Sequence, residues 1–378
     1  MSLFLFWLAD VAIIVKYDVD TVSQWALLKS LIFISGSFIS LGIDQAIVRL
    51  NLNYKETLLP VLFQIVVLTL LTCGILWIFD YDVSYPYVFL ILLCYSTILI
   101  LFSFERSKLN YTRSIFIFHF WRILFYVLIV SATYKLIEIP LAIAFISAII
   151  FLVGPLRKIS FKASSFKNYK PALKTGFYFF LSTCSLNVIL FVDQLLINGL
   201  EDTTASEILF SHVTFFIAPF AAILSFLGFL LTPFLRDNKQ KALLFLDKYL
   251  IHIVVGGVVM VFCYYLFSGW LYKSVKKQDP IAWLGIVLTF ILYARYLLLI
   301  PSAYFGAFGE NKLIRKVSIR YNLANIFYIC AAFILLYKFG LSILVAISSA
   351  LLITWSLRAL IGYICLFELK RDTLRTKE

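Results

Sequence analysis

Residues 186–198 read LNVILFVDQLLIN and lie within an apolar run that is long enough to cross a membrane. Asp193 stands near the middle of this run, where a carboxylate costs roughly 3 kcal/mol on insertion scales. Such residues usually face protein or a water-filled space rather than lipid, and they mark ion or substrate pathways. The stretch therefore predicts a membrane helix that carries a functional aspartate.

The composition extends this interpretation to the whole chain. Of its 378 residues, 62% are hydrophobic and only 14% are charged, and the mean hydropathy is +0.97. A soluble domain carries about 45–50% apolar and about 25% charged residues. The net charge of +13 does not indicate nucleic-acid binding, because the basic residues fall in short loops and no nucleic-acid-binding motif is present. We expect an all-α polytopic membrane protein.

Apolar windows of about 20 residues, separated by charged or Pro/Gly-marked loops, predict about twelve membrane helices. The first window has no basic start and no small-residue cleavage site, so it is interpreted as a retained helix rather than a signal peptide. The predicted ranges are 2–15, 25–43, 58–79, 86–104, 115–133, 136–153, 176–198, 208–231, 249–272, 281–301, 322–337 and 340–366.

The 33 Lys and Arg residues predict which side of the membrane each loop occupies. An even number of helices puts both termini on one side, and most of the basic residues fall in the loops and the short tail on that side. This bias predicts that both termini are cytoplasmic. Lys273, Lys276 and Lys277 are the exception, because they fall on the outer side in this scheme.

A weak internal repeat divides the chain into two predicted six-helix lobes, residues 1–175 and 176–378. The stretch 154–175 is the basic cytoplasmic linker between them. Each lobe opens with an apolar helix that contains one aspartate, Asp10 or Asp193, followed by an acidic turn with Thr and Ser. Parallel six-helix repeats are a known transporter architecture with the substrate path between the halves. The pattern predicts two lobes around a central cavity.

Polar side chains follow one face of the predicted seventh helix. Four of them fall within about 60° of one another on a helical wheel: Thr183, Asn187, Gln194 and Asn198. In lipid such a stripe must face protein or water, so it either joins helices or forms the wall of a water-filled cavity. Asp193 lies about 110° away from the stripe and is expected to point toward a neighbouring helix.

Basic side chains also lie inside the predicted helices: Arg122, Arg295, Arg358 and Lys29. His119 shares a helical face with Arg122. Lys29 is expected to extend to the lipid headgroups. The arginines either do the same or converge in a cationic pocket open to the cytoplasm, where guanidinium groups bind a diphosphate through paired hydrogen bonds. An intramembrane carboxylate binds H⁺ or Na⁺, which makes Asp193 and Asp10 candidates for ion coupling.

The second predicted helix ends in ISLGIDQAIVRLN, residues 39–51. This stretch resembles the LG-x-x-x-A-x-x-R end of the second helix in bacterial polysaccharide flippases, which belong to the multidrug/oligosaccharidyl-lipid/polysaccharide flippase superfamily. VDQLLI, residues 192–197, is similar to the opening of that family's second half. The resemblance implies that Gly42, Asp44 and Arg49 match family positions at the cytoplasmic end of the second helix.

The resemblance also implies a function. It describes a bacterial inner-membrane flippase that moves an undecaprenyl-diphosphate-linked O-antigen or capsule repeat unit to the periplasmic leaflet by ion-coupled alternating access. In that interpretation the arginines, His119 and the polar stripe contact the substrate. The expected partners are the lipid-linked oligosaccharide, membrane lipids and other polysaccharide-assembly proteins, and the only expected cofactor is the coupling ion, H⁺ or Na⁺.

Two alternatives stay open. A cation-coupled multidrug exporter belongs to the same superfamily, although intramembrane arginines disfavour a cationic cargo. A membrane polymerase or glycosyltransferase usually presents a long outer loop, and only short outer loops are predicted here. The sequence contains no Ser/His/Asp constellation, paired carboxylates or phosphate-binding glycine loop, and its six cysteines have no metal-binding spacing. Neither an enzyme nor a metal site is expected.

Overall fold

The computed structural model describes residues 2–52, 54–81, 83–150, 169–237, 239–308 and 311–375. These residues form fourteen α-helices, and they contain no β-strand. The helices are α1 (Ser2–Lys16), α2 (Val19–Ser40), α3 (Ile43–Leu50), α4 (Tyr54–Ile78), α5 (Tyr85–Ser107), α6 (Tyr111–Ser131), α7 (Glu138–Ile150), α8 (Tyr169–Gly199), α9 (Thr203–Phe216), α10 (Ala218–Asp237), α11 (Lys239–Lys276), α12 (Ala282–Phe308), α13 (Asn311–Phe333) and α14 (Ile343–Arg375). The prediction of an all-α polytopic membrane protein is confirmed.

The described residues contain fewer candidate membrane spans than the twelve predicted from the sequence. Within the described ranges, nine helices are long and apolar enough to cross a membrane, and the bent pair α9–α10 is a tenth candidate. Helices α1 and α7 are shorter, with 15 and 13 residues. The described part of α7 stops at Ile150, inside the predicted range 136–153. With these two helices, the described residues account for the twelve predicted segments.

Several helices continue beyond their apolar windows. Helix α11 begins at Lys239, ten residues before its predicted range, and it contains 38 residues. At 1.5 Å per residue it is about 57 Å long, well beyond the roughly 30 Å of a hydrocarbon core. Helix α14 likewise continues to Arg375. A hydropathy window detects only the part of a helix that lipid solvates, whereas backbone hydrogen bonding continues into the polar ends.

The prediction of one helix over 25–43 is wrong at its end. Leu41 and Gly42 both adopt left-handed backbone angles, with φ of 45° and 70°, and they separate α2 from the short helix α3. Gly42 also lies against Gly176 of α8, and a side chain at Gly42 would overlap the carbonyl oxygen of Gly176. Glycine is therefore required at position 42 by both the backbone angle and the close approach.

The prediction of a single helix over 208–231 is also wrong, because two helices cover this range. Helices α9 and α10 meet at an angle of 48°. Pro219 lies in the first turn of α10, and a proline cannot donate to the carbonyl four residues earlier. That carbonyl belongs to Phe215, and the hydroxyl of Tyr264 donates to it at 2.9 Å. The tyrosine satisfies the acceptor that the proline leaves open.

By packing, the chain divides into two compact units, Met1–Glu207 and Ile208–Glu378. Helix α8, which the sequence assigned to the second lobe, packs mainly against α2 and α3 in the first unit. The functional division into lobes 1–175 and 176–378 stays a prediction. Of the basic linker, residues 154–168 lie outside the described ranges.

Aromatic side chains form much of the core of the first unit. Trp25 of α2 stacks on Phe125 of α6, with ring centroids 4.8 Å apart. Trp121 of α6 stacks on Phe145 of α7 at 4.4 Å. Phe6 of α1 meets both indole rings edge-on. These contacts hold α1, α2, α6 and α7 around the aspartate of α1.

The second unit has an apolar core on one side and an apolar exterior on the other. Buried residues of α12 and α14 pack together in its core, among them Tyr304 and Leu366. Helix α11 instead exposes a stripe at helical spacing, Val255, Val259 and Phe262, each more than half exposed. Such a large exposed apolar surface is typical of helices that face lipid.

Candidate functional site

Asp10 of α1 is buried against α2 and forms an ion pair there. Only 2% of its surface is exposed, and its carboxylate accepts from Trp25 Nε1 at 2.9 Å and pairs with Lys29 Nζ at 2.6 Å. Trp25 and Lys29 are four residues apart, so one face of α2 supplies both donors. Lys29 also lies over the ring of Phe6, 4.9 Å from its centroid. The prediction that Lys29 extends to the headgroups is therefore wrong, because the buried carboxylate holds it.

Asp193 of α8 is buried to a similar extent, with 4% of its surface exposed, but its surroundings differ. Its Oδ1 atom accepts from the backbone N–H of Gln194 at 2.9 Å. No ion pair in the described part of the chain includes Asp193. A buried carboxylate that is not matched by a cation is an available partner for H⁺ or a metal cation.

Asn187, in the middle of the polar stripe, contacts α2. Its Nδ2 atom donates to the backbone oxygen of Phe33 at 3.1 Å and to the hydroxyl of Ser37. Thr183, one helical turn earlier, is exposed. The stripe is therefore a helix–helix contact at Asn187 but not at Thr183.

Gln194 and Asn198 continue the stripe in a chain of side-chain hydrogen bonds. Ser23 of α2 donates to Asn198 Oδ1 at 2.9 Å, and Asn198 Nδ2 donates to Ser206 of α9 at 2.9 Å. Ser206 in turn donates to Gln194 Oε1 at 2.9 Å. The chain joins α2, α8 and α9. The second predicted role of the stripe, as the wall of a water-filled cavity, stays a prediction.

Arg122 of α6 is enclosed by protein rather than extended to solvent, since only 4% of its surface is exposed. Its Nη1 atom lies 3.3 Å from His119 Nδ1. Its guanidinium lies over the rings of Phe118 and Trp121, at 4.8 and 5.3 Å from their centroids. Among the described residues, its Nε–H has no hydrogen-bond partner. The site holds a cation with unused donor capacity.

Arg295 of α12 and Arg358 of α14 both lie against the indole ring of Trp355 in the second unit. Their guanidinium groups lie 5.0 and 5.5 Å from the ring centroid of Trp355. Arg358 is buried, donates to Asn325 Oδ1 at 3.0 Å, and lies 4.4 Å from the ring centroid of Tyr321. We name these five residues the Trp355 cluster. Arg122 belongs to the first unit, so a pocket shared by all three arginines stays a prediction.

The residues of the flippase-like motif lie at the break between α2 and α3. Gly42 provides the break itself. Asp44 accepts from the side chain of Gln45 at 2.8 Å, and burial raises the pKa of the Asp44 carboxyl above its usual value. Arg49 is exposed and lies over the ring of Phe179 of α8, 5.2 Å from its centroid. The motif thus forms a corner that packs on α8.

Sequence reasoning identified Lys29 and Arg358 but missed the tryptophans that share their surroundings, Trp25 and Trp355. Trp25 and Lys29 are separated by one helical turn, and so are Trp355 and Arg358. This spacing is visible in the sequence, but it does not reveal which helix the shared face meets. The identity of the neighbouring helix is a tertiary property that the pattern of one helix does not contain.

Comparisons with known proteins support the fold. No protein-family model and no curated protein matches the chain. Two transporters are among the solved structures that are similar to it. The eukaryotic MATE transporter AtDTX14 has a TM-score of 0.62 and 14% identity, covering 97% of this chain and 92% of that chain. An inward-facing multidrug resistance MATE family transporter of the MOP superfamily has a TM-score of 0.64 and 16% identity, covering 100% and 96%. The chain is a multi-pass membrane protein with the fold of MATE transporters.

Proposed function

We propose that the protein is an ion-coupled secondary transporter that works by alternating access, and that it is not an enzyme. The observation that carries the proposal is its likeness to two MATE transporters over nearly the full length of each chain. Charged side chains buried in apolar helices add support. Such residues are costly in a membrane protein, and they usually mark ion or substrate pathways.

Asp193 is the better candidate for the coupling site. Asp10 already pairs with Lys29, an ammonium group within the same unit. The Asp193 carboxylate has no such counter-ion among the described residues. Binding of H⁺ or Na⁺ changes the net charge at Asp193, and this change drives the conformational cycle.

A small organic solute is the first candidate cargo. The likeness to a structure described as a multidrug resistance transporter favours this class. The aromatic rings around the buried arginines offer the apolar surface that an amphipathic molecule requires. In this proposal the multidrug-exporter alternative has the stronger structural support.

A lipid-linked oligosaccharide is the second candidate cargo, and the Trp355 cluster favours it. Two guanidinium groups on one indole repel a cationic drug, whereas they attract a diphosphate. The resemblance of residues 39–51 to polysaccharide flippases points the same way. With this cargo, the protein resides in a bacterial inner membrane with cytoplasmic termini, together with other polysaccharide-assembly proteins.

Two parallel assays test the proposal. In proteoliposomes, ethidium movement that depends on a pH or Na⁺ gradient supports the exporter. In a bacterial strain that lacks its own polysaccharide flippase, restored surface polysaccharide supports the flippase. A chain that supports neither activity, although present in the membrane at normal levels, overturns the transporter proposal.

Arginine variants separate the two cargo classes. The flippase proposal expects Arg122→Ala, Arg295→Ala and Arg358→Ala each to abolish surface polysaccharide without lowering protein levels. Lys316→Ala is the matched control, because Lys316 is a half-exposed basic residue that pairs with Glu368. Full export by all three arginine variants eliminates the cationic site.

A further inference from the structure

The guanidinium of Arg122 lies in the core of the first unit without a carboxylate bound to it. No ion pair among the described residues includes Arg122. Its one hydrogen bond within those residues joins Nη1 to His119 Nδ1 at 3.3 Å. Arginine can only donate, so His119 Nδ1 accepts and the imidazole is neutral. The histidine therefore orients the guanidinium but does not balance its charge.

The side chains next to Arg122 carry an excess of positive charge. Lys29 and Arg122 both lie over the ring of Phe6, 4.9 and 5.6 Å from its centroid. The carboxylate of Asp10 pairs with Lys29 at 2.6 Å. We name these four residues the Phe6 cluster. The cluster contains two cations and one carboxylate, so one further negative charge makes it neutral.

Arg122 cannot correct this imbalance by releasing a proton. A buried Lys or Asp can become neutral, but an arginine stays protonated in proteins. The rings of Phe118 and Trp121 lie against the guanidinium, and their faces compensate part of its charge. A ring face does not satisfy the N–H groups that point outward along the edge of the guanidinium. A negatively charged hydrogen-bond acceptor satisfies both the charge and these donors.

The donors without partners lie along one edge of the guanidinium. Nη1 faces His119, whereas Nε–H has no hydrogen-bond partner in the described part of the chain. Nε–H and one N–H of Nη2 point side by side, and such a pair is the rigid fork through which arginine binds anions. Trp121 Nε1, on the neighbouring residue, is another buried donor that no described residue satisfies. The local chemistry is that of an anion site.

We propose that the first unit binds one small monovalent anion on the Nε–Nη2 edge of Arg122. The excess charge of the Phe6 cluster determines the charge of this ligand. Burial favours a small ion, because only 4% of Arg122 is exposed and aromatic rings lie over its guanidinium. A halide or a planar ion such as nitrate meets this condition, and a sugar diphosphate does not. The site also belongs to a different unit from the Trp355 cluster.

Thermal unfolding of the purified protein in detergent tests the site. Sodium gluconate is replaced stepwise by sodium chloride or sodium nitrate at constant ionic strength, so the Na⁺ concentration does not change. A ligand that binds only the folded state raises the unfolding temperature, and we expect a saturable rise of several degrees. Arg122→Gln should lose this rise. The matched control is Arg106→Gln, which replaces an exposed arginine of α5 in the same unit and should keep it.

The pattern across the variants decides the proposal. It is overturned if Arg122→Gln responds to chloride and nitrate as the unmodified protein does, or if only Arg358→Gln loses the response. Arg122→Lys is the second variant if Arg122→Gln does not fold. It keeps the charge but lacks the fork, so the half-maximal rise should require several-fold more anion. The measurement needs neither a gradient nor a cargo, so its failure leaves the proposed transport function intact.

Anomalous X-ray diffraction then locates the ion. Crystals grown in sodium bromide should show an anomalous peak beside Nε of Arg122, and crystals of Arg122→Gln should lack it. Water alone at this edge, at a bromide concentration that saturates the thermal response, overturns the proposal. Pyrophosphate is the competing probe. If pyrophosphate replaces bromide at Arg122, the guanidinium belongs to a headgroup site and the small-anion proposal is wrong.

Discussion

Asp10 and Asp193 are both carboxylates in apolar helices, and both are almost completely buried, yet they have different partners. Asp10 pairs with Lys29 and accepts from Trp25. Asp193 accepts from the backbone N–H of Gln194 and forms no ion pair with any described residue. The position of an aspartate in a membrane helix therefore does not determine which groups surround it. We propose that the two roles differ accordingly, with Asp193 rather than Asp10 binding the coupling ion.

The turns near the two aspartates are alike, which makes this difference sharper. Asp18 accepts from the backbone N–H of Thr21 at 3.0 Å and caps α2. At the start of α9, Asp202 likewise accepts from a backbone N–H three residues later, that of Ala205, at 2.8 Å. The acidic turns that the weak repeat aligns thus perform the same task. The two halves differ in what surrounds the aspartate rather than in how the next helix begins.

The largest expected effect on stability comes from removing the counter-ion of Asp10. Lys29→Met leaves a buried carboxylate unpaired, so we expect the free energy of unfolding to fall by about 3–5 kcal/mol. Denaturant unfolding of the purified protein in detergent measures the loss. The double variant Asp10→Asn with Lys29→Met removes both charges and should recover much of it. A double variant as unstable as Lys29→Met alone contradicts a charge-pair role.

The second effect concerns the indole that also contacts Asp10. Trp25→Phe keeps an aromatic ring in the stack on Phe125 but removes the N–H donor. Loss of a hydrogen bond to a charged group is expected to cost about 1.5–3 kcal/mol. The same unfolding measurement in the Asp10→Asn background supplies the control, because the cost should shrink there. An equal cost in both backgrounds assigns the effect to packing.

The sequence was sufficient for the fold class, and the reason is physical. Lipid solvates only apolar surface, so about twelve apolar windows correspond to helices whatever their neighbours are. The breaks were harder to predict. Leu41 adopts a left-handed angle that leucine rarely takes, and Pro219 lies at the bend of a segment that the sequence predicts as one helix. Both depend on tertiary contacts that hold the chain in these conformations.

The candidate site was only partly accessible to sequence reasoning. The polar stripe of α8 was visible because its spacing is a property of one helix. Its contacts with Ser37 and Ser206 were not, because they depend on which helices lie beside α8. The same limit explains Lys29, whose partner lies on another helix. A charged residue in an apolar segment indicates that something compensates it but does not identify the compensating group.

A smaller effect is expected at the helix caps. Asp18→Ala and Asp202→Ala each remove one cap, at a cost of about 1 kcal/mol. The hydrogen bond from Thr21 lowers the pKa of the Asp18 carboxyl. The Asp18 cap therefore stabilises the protein above the pKa of the unfolded chain and is lost as the pH falls through the folded value, so the Asp18→Ala deficit should shrink in acid. Asp20→Ala, in the first turn of α2, is the matched control, with an expected cost of a few tenths of a kcal/mol.

The smallest loss of stability is expected at Asp193, where the effect on transport should be greatest. The amide oxygen of Asp193→Asn still accepts from the N–H of Gln194, no counter-ion is left behind and a buried charge is removed, so the free energy of unfolding should not fall. Transport, however, should lose its dependence on pH or Na⁺, because an amide binds neither ion as a carboxylate does. Cargo movement measured across a series of pH values and Na⁺ concentrations tests this, with Asp10→Asn as the paired variant. If Asp10→Asn abolishes the ion dependence and Asp193→Asn preserves it, the presence of a counter-ion does not identify the coupling aspartate. Asp10 would then bind the ion, and Lys29 must leave Asp10 during the cycle.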